Sequence, residues 1–418
     1  MYKAFERAFG RLYHPVLGRV RKARRARRIK KEVARKVAAG NLVAQERRER
    51  PRIYVDVTGT FLHDKGTGVQ RVTKEVARRL KNCAGGYEVV DVWCGGSSYF
   101  SCENKREIDF CRGDIFFILD RPLDAVSNNA ELFMCLLENG VRVSAFFYDL
   151  IPVTHPEFCM PPQVKEFKSY LLAILSFSQI ICDSRAVADE LREYLAAHPE
   201  VRCNPRLEIG HSLLGCGFAP CGSDIPGAMN GSLPFPGGER NIRAVTFLMV
   251  STVEPRKMYG QALAAFDLLW KEGADVRLWI VGRPGWKNKK TIAAIEHHPE
   301  LGKRLQWYRT GIGDEELASL YRRCDAVLFA SAAEGFGLAV AEGAHFGKPL
   351  ILRDIPVFRE IAGENAFYFS GEGAEDLAVK IKEWLALYKE GREPKPDGIR
   401  LPTWEECAAR IFGLLSEG

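Results

Sequence analysis

Apolar residues fall along most of the chain in short runs, and between the runs they recur at helical spacing. The runs IYVDV (53–57), YEVVDVW (87–93), IFFIL (115–119), RVSAFFY (142–148) and QIICD (179–183) predict strands, with helices expected near 68–81, 126–139, 161–176 and 184–197. The alternation restarts with VTFLMV (245–250), VRLWIV (276–281), LQWY (305–308), AVLFA (326–330), PLILR (349–353) and AFYF (366–369). Such runs need cover on both faces, so the expected class is α/β, with two parallel, doubly wound sheets. Between the two series, residues 219–240 are rich in Pro, Gly, Ser and Asn without periodicity and read as a linker. The division is a basic extension over 1–51, a first domain over 52–225, a linker over 226–240, a second domain over 241–400 and a final helical segment over 401–418. That last segment, with WEECAARIFGLL after Pro402, is expected to fold back onto the first domain.

Charge separates the tail from the body. Residues 1–52 hold 18 Lys and Arg against 4 Glu, a net of +14 that leaves −7 for the remainder of a chain whose total is +7. Phe5, Phe9 and Leu12 share one helical face ahead of the basic run, a pattern suited to an anionic membrane surface, with a solvated basic extension as the plainer alternative. No apolar run reaches the roughly 18 residues of a membrane span, and no secretory leader pattern is visible, so a cytoplasmic protein associated peripherally with the inner face of the membrane is expected. The twelve cysteines form no C-x-x-C pair and suggest neither a zinc site nor a disulfide framework.

The densest candidate chemistry is EGFGLAVAE (334–342), directly after a strand. Gly335 and Gly337 permit a tight turn, and the amides of Phe336, Gly337 and Leu338 open a helix whose positive end suits a phosphate. Glu342, a turn further on, suits neutral hydroxyls such as those of a ribose, and Glu334 on the loop suits hydroxyls of a sugar. A plain strand–turn–helix joint fits the same spacing. Arg256 and Lys257, in STVEPRKMYG, are placed to neutralise a diphosphate, and Gly66 and Gly68 in HDKGTGVQRV to bring amides from the opposite wall. GTGVQR lacks the third glycine of a dinucleotide fingerprint.

Taken together, VSTVEPRK (250–257), WIVGRPGW (279–286), TGIGDEELASLYRRCDAVLFAS (310–331), EGFGLAVAE and FGKPLILRDIPVFREIAG (346–363) resemble the retaining nucleotide-sugar glycosyltransferases of family four. YDLIPVTHPEF (148–158), CDSRAVADEL (182–191) and LGCGF (214–218) extend the likeness into the first domain. The resemblance implies the GT-B fold, in which two Rossmann-like domains face each other across a cleft. It implies that Glu334 faces the donor sugar and Glu342 the ribose, that Arg256 and Lys257 bind the diphosphate, that Phe336 to Leu338 lie at the phosphate, and that Arg283 and Ile312 line the nucleobase pocket. Tyr148 and Asp149 occupy the remaining catalytic motif, where many members have His before the Asp; a phenol is a poor base near neutral pH. Ser251 stands where Gly is common.

With no D-x-D in the chain, a metal-independent transfer is expected, the acceptor hydroxyl attacking from the face that the diphosphate leaves. The implied partners are a nucleotide sugar, GDP-mannose being the first expectation, and a glycan or lipid-linked acceptor. No other cofactor and no specific nucleic acid are expected. A sugar phosphorylase of the same fold and a non-catalytic scaffold of a polysaccharide assembly complex are the alternatives. A hydrolase pair is disfavoured because both carboxylates sit on one loop–helix unit.

Overall fold

A computed structural model describes residues 21–216, 244–310 and 312–417. Phe5, Phe9 and Leu12, the 219–240 linker and the final residue lie outside the described residues.

The first sheet has seven strands in the order Tyr99–Ser101, Glu88–Cys94, Arg52–Asp56, Ile115–Ile118, Arg142–Phe147, Gln179–Cys182 and Glu208–His211. All pairings are parallel except that of the edge strand Tyr99–Ser101. Its central strands are buried along their length, which is why they read as unbroken apolar runs. The second sheet is wholly parallel, with six strands ordered Leu305–Tyr308, Val276–Val281, Val245–Val250, Ala326–Phe329, Leu350–Arg353 and Phe367–Phe369. Two doubly wound halves are therefore present.

The single helix expected over 126–139 is two, Leu123–Asn128 and Ala130–Glu138, separated at Asn129. The amide of that residue bonds back to Ala125 O at 2.8 Å and across to Gly96 O at 3.0 Å.

The basic stretch 21–38 is helical and packs on the first domain. Ile29 and Val33, one turn apart, are buried with Tyr54 and Val92, while Val43–Ala44 pairs in parallel with Phe110–Cys111. Lys22 reaches Asp124 at 3.0 Å and Glu166 at 2.7 Å. A division at 51/52 thus cuts through packed structure. Most cations of this stretch are exposed, and their number hides the apolar spacing in the sequence.

The helix Trp404–Glu417 lies against Gly68–Cys83 in the first domain. Ile411 and Leu415 are fully buried there, Arg79 meets Glu405 at 2.6 Å, and Gln179 Nε2 donates to Leu414 O at 2.9 Å. A Cβ on Gly215 would stand 2.5 Å from Trp404 Cα, so this crossing needs a glycine.

Candidate active site

The carboxyl ends of the two sheets meet. Ser184, after the strand Gln179–Cys182, donates its hydroxyl to Gly335 O at 2.9 Å, and a Cβ on Gly335 would lie 1.8 Å from Tyr148 O. Only glycine permits that backbone approach. Glu360 accepts from the Arg185 and Ala186 amides at 2.8 and 2.7 Å, capping a first-domain helix from the second domain. On the other flank, Trp286 Nε1 donates to Phe158 O at 3.0 Å.

Glu334 lies at the centre of this junction. It follows the strand Ala326–Phe329 and is buried between two cations, with Arg256 Nη1 at 2.6 Å and Lys257 Nζ in direct contact. Burial alone would raise its pKa, but the charges of Arg256 and Lys257 overcome this and hold it at about 2. Lys257 is pushed below the ordinary lysine value by burial and by Arg256 beside it. Arg256 is shared, its Nε lying 2.6 Å from Glu254 and its Nη1 donating to Ala333 O at 2.9 Å. The cations come from a short 3-10 turn, Pro255–Lys257, closed by Met258 in the left-handed region at φ 54°. Tyr259 holds that loop through its hydroxyl, 2.9 Å from both Ser251 Oγ and Ser251 O, which gives the serine at this position a partner.

Gly337 is left-handed at φ 91° and begins the helix Leu338–His345, and Phe336 is buried just before it. Glu342 lies in the second turn and is also buried. It accepts from Tyr321 OH at 2.8 Å and pairs with Arg71 of the first domain at 2.6 Å. Burial raises its pKa against the pull of Arg71 and Tyr321. Arg71 belongs to the helix Gly68–Cys83, which opens with a Thr67–Gln70 capping box directly after the left-handed Gly66. The same opening turn brings Gly68 to the second domain, where a Cβ would lie 3.3 Å from Leu338 Cδ1. Arg283, beyond the strand Val276–Val281, donates to Lys65 O at 3.2 Å, and Ile312 is half-buried beyond the neighbouring strand Leu305–Tyr308.

Tyr148 is buried, with its hydroxyl committed to Leu119 O at 2.7 Å and its pKa driven well above the ordinary phenol value by burial. The side chain that the sequence set among the catalytic residues is thus occupied in packing, and it is its carbonyl that faces Gly335. Asp149 differs. Its Oδ2 pairs with Arg121 at 2.8 Å, while Oδ1 is buried with no partner among the described residues. Asp183 is buried close by, and burial together with the charge of Asp149 raises its pKa strongly.

The structure therefore brings Glu334, Arg256, Lys257 and the 336–338 turn together and sets Gly68, Arg283 and Glu342 at the domain boundary beside them. Sequence reasoning missed Arg71, Glu254, Asp183, Tyr321 and Glu360. All five stood inside quoted motifs, but their partners are set only by folding. Among the described residues, no three His, Cys, Asp or Glu side chains group as a metal site.

Residues 239–398 match the family model described as glycosyl transferases group 1. The chain is 34% identical over 386 residues to the serotype-specific mannosyltransferase WbdA of Escherichia coli, covering 87% of this chain and 44% of that protein. It is 30% identical over 141 residues to the O-antigen chain mannosyltransferase B of Escherichia coli, 33% of this chain and 36% of that one. The chain spans about half the length of the WbdA relatives it matches, 44% to 46%. Among solved structures, sucrose-phosphate synthase from Thermosynechococcus elongatus superposes with a TM-score of 0.62 at 16% identity, covering 87% of this chain and 98% of that one. That likeness is one of fold, two Rossmann-like halves facing a cleft. Residues 239–398 of the chain are thus a glycosyl transferases group 1 domain, set within a GT-B architecture.

Proposed function

We propose that this chain transfers a hexose from a nucleoside diphosphate donor to a hydroxyl of a growing surface glycan or lipid-linked acceptor, with retention at the anomeric carbon and without a metal ion. The observation that carries the reading is Glu334 buried between Arg256 and Lys257 at the start of the helix Leu338–His345. A donor diphosphate placed over that turn meets two cations and the free amides of a helix start, which stabilise the charge that grows on the leaving group. Glu334 faces the sugar and favours positive charge at the anomeric carbon. Glu342 takes the ribose hydroxyls, exchanging its bond to Arg71 for them. The acceptor oxygen forms its bond to the anomeric carbon as the carbon–phosphate oxygen bond breaks, and the acceptor proton passes to the departing phosphate oxygen.

The mannosyltransferase names of the relatives support mannose as the hexose, and hence GDP-mannose as the donor to try first. The +14 charge of residues 1–52 supports peripheral association with an anionic membrane surface.

The test is a panel of nucleotide sugars assayed for released nucleoside diphosphate, with Glu342→Gln and Glu334→Gln beside the parent. Glu342→Gln is expected to weaken binding of the free nucleotide, measured by calorimetry. Glu334→Gln is expected to retain that binding and to lower turnover by at least about tenfold. Activity only with inorganic phosphate and free sugar would assign a phosphorylase instead, and intact turnover in both variants would sink the reading.

A further inference from the structure

Four charged side chains interlock at the junction of the two halves, the cations Arg256 and Lys257 and the carboxylates Glu334 and Glu254. Their formal charges cancel, but they are not equally placed. Arg256 keeps 22% of its side-chain surface open and Lys257 12%, against 6% for Glu334 and 3% for Glu254. A ligand in the cleft therefore meets the cations, with Glu254 behind Arg256. The backbone on either side holds Glu254 there. Val253 N donates to Arg283 O and Gly285 N to Val253 O, each at 2.9 Å, and a Cβ on Gly285 would stand 3.0 Å from that of Glu254.

The two carboxylates differ in how firmly they are held as anions. Burial would raise the carboxyl of Glu334, but it touches both cations, and their charges hold it at about 2. Among the described residues, the one ion-pair partner of Glu254 is Arg256, through Nε at 2.6 Å. Its other charged or titratable neighbours are Lys257 on the same turn, Glu334, Tyr259 on the helix that follows and Cys159 of the first domain. Tyr259 and Cys159 are both pushed up by burial and are neutral near pH 7. At Glu254 itself burial outweighs the cations and pushes the carboxyl above its ordinary value. Asp149 also faces Arg256 but has a cation of its own in Arg121.

A donor diphosphate brings two negative charges to a cluster with no positive charge in excess. In a desolvated site such an imbalance is costly, and the group that yields is the carboxylate least firmly held as an anion. We propose that Glu254 takes up one proton from solvent when a nucleotide sugar binds, which leaves the charge of Arg256 to the diphosphate. One O–H bond forms on the carboxylate as one breaks in a buffer acid, and no bond of the donor changes. The inference rests on the donor reading given above, and Glu254 acts through Arg256 without touching the ligand. By linkage, binding coupled to one proton tightens about tenfold for each unit by which pH falls, over the range where Glu254 is ionised in the free protein and protonated in the complex.

Calorimetry on the full chain with GDP-mannose, UDP-glucose and dTDP-rhamnose, without acceptor, tests it. A diphosphate esterified at both ends has no proton to gain or lose near neutral pH, so protons taken up belong to the protein. Titrations from pH 6 to 8 in buffers of unlike ionisation enthalpy count them. Uptake of at least about half a proton per bound donor is expected, with binding at least about tenfold tighter at pH 6 than at pH 8. Glu254→Gln, neutral from the outset, is expected to bind without uptake and to hold its affinity within about twofold across that range. Glu254→Met carries the same expectation and decides the matter if the Gln variant does not fold. If Glu254 served only to brace Arg256, both variants would bind more weakly at every pH with the slope of the parent intact, and the proposal would fall. Uptake that survives in the variants would assign the proton to another group, Lys257 first, and would also overturn it, as would binding by the parent with no uptake. Failure of all three donors to bind would instead sink the donor reading, and this inference with it.

Discussion

Replacing Glu334 by Gln tests the electrostatics of the cleft directly. The carboxylate is held at about 2 against an ordinary value of 4.5. A fall of roughly 2.5 units corresponds to about 3 kcal/mol of preference for the charged form in the folded state. Because the folded value lies below the unfolded one, this stabilisation is fully present above pH 4.5 and is lost as pH falls towards 2. Removing one partner of a buried pair costs about 3–5 kcal/mol, since the charge left behind stays desolvated. Here the group left behind is Lys257, whose ammonium is already disfavoured by burial and by Arg256. For a domain of this size, about 3 kcal/mol lowers Tm by roughly 6–12 °C. Differential scanning fluorimetry from pH 5 to 8 is expected to show that drop undiminished across the range. Saturating GDP, an anion able to take the place of the lost carboxylate, is expected to restore more of the Tm in the variant than it adds to the parent. A drop below 2 °C, or no larger than that of the exposed control Glu315→Gln, would refute the account of a carboxylate held by two cations.

Three further outcomes follow from other parts of the fold. Asp56 is wholly buried and burial raises its carboxyl to about 7 from 3.8, so its favourable protonated form is lost as pH rises through 7; Asp56→Asn is expected to gain about 4 kcal/mol relative to the parent between pH 4 and pH 8, read from denaturant midpoints. Ile411→Ala, in the helix that lies on Gly68–Cys83, is expected to cost about 2–5 kcal/mol in the same assay, and a loss under 0.5 would show that the helix does not complete the first-domain core. Deletion of residues 1–20, which stops short of the packed Ile29 and Val33, is expected to reduce co-sedimentation with phosphatidylglycerol vesicles while the remaining cations retain part of it; unchanged binding would refute a role for the Phe5, Phe9 and Leu12 face.

The doubly wound class was legible because parallel strands buried on both faces leave an unmistakable apolar run, as in IFFIL and VTFLMV. The strands that escaped notice are short or lie at an edge. Tyr99–Ser101 has three residues, and Glu208–His211 begins with an exposed glutamate and has no buried residue. The helix 21–38 was hidden by its own charge, since two buried side chains a turn apart are a faint signal among so many cations. Within the cleft, Glu334, Arg256 and Lys257 were readable as motif residues, but their direct pairing was not. The bond between Arg71 and Glu342 joins positions far apart in the chain, and no local pattern announces it. Tyr148 shows the opposite limit, because its motif position says nothing about whether the hydroxyl turns towards the cleft or towards Leu119 O.

The return of the final helix to the first domain has a mechanical consequence. The backbone passes from one half to the other between residues 216 and 244, and comes back before Trp404. Two bodies joined by one strand of chain can swivel about a point. Joined by two, they are tied more closely, and any opening of the cleft must leave the crossing before Trp404 in place or pull the helix Trp404–Glu417 off Gly68–Cys83. Where the two halves touch at Gly335 and Tyr148 O they meet backbone on backbone, with no side chain between to cushion or vary the contact.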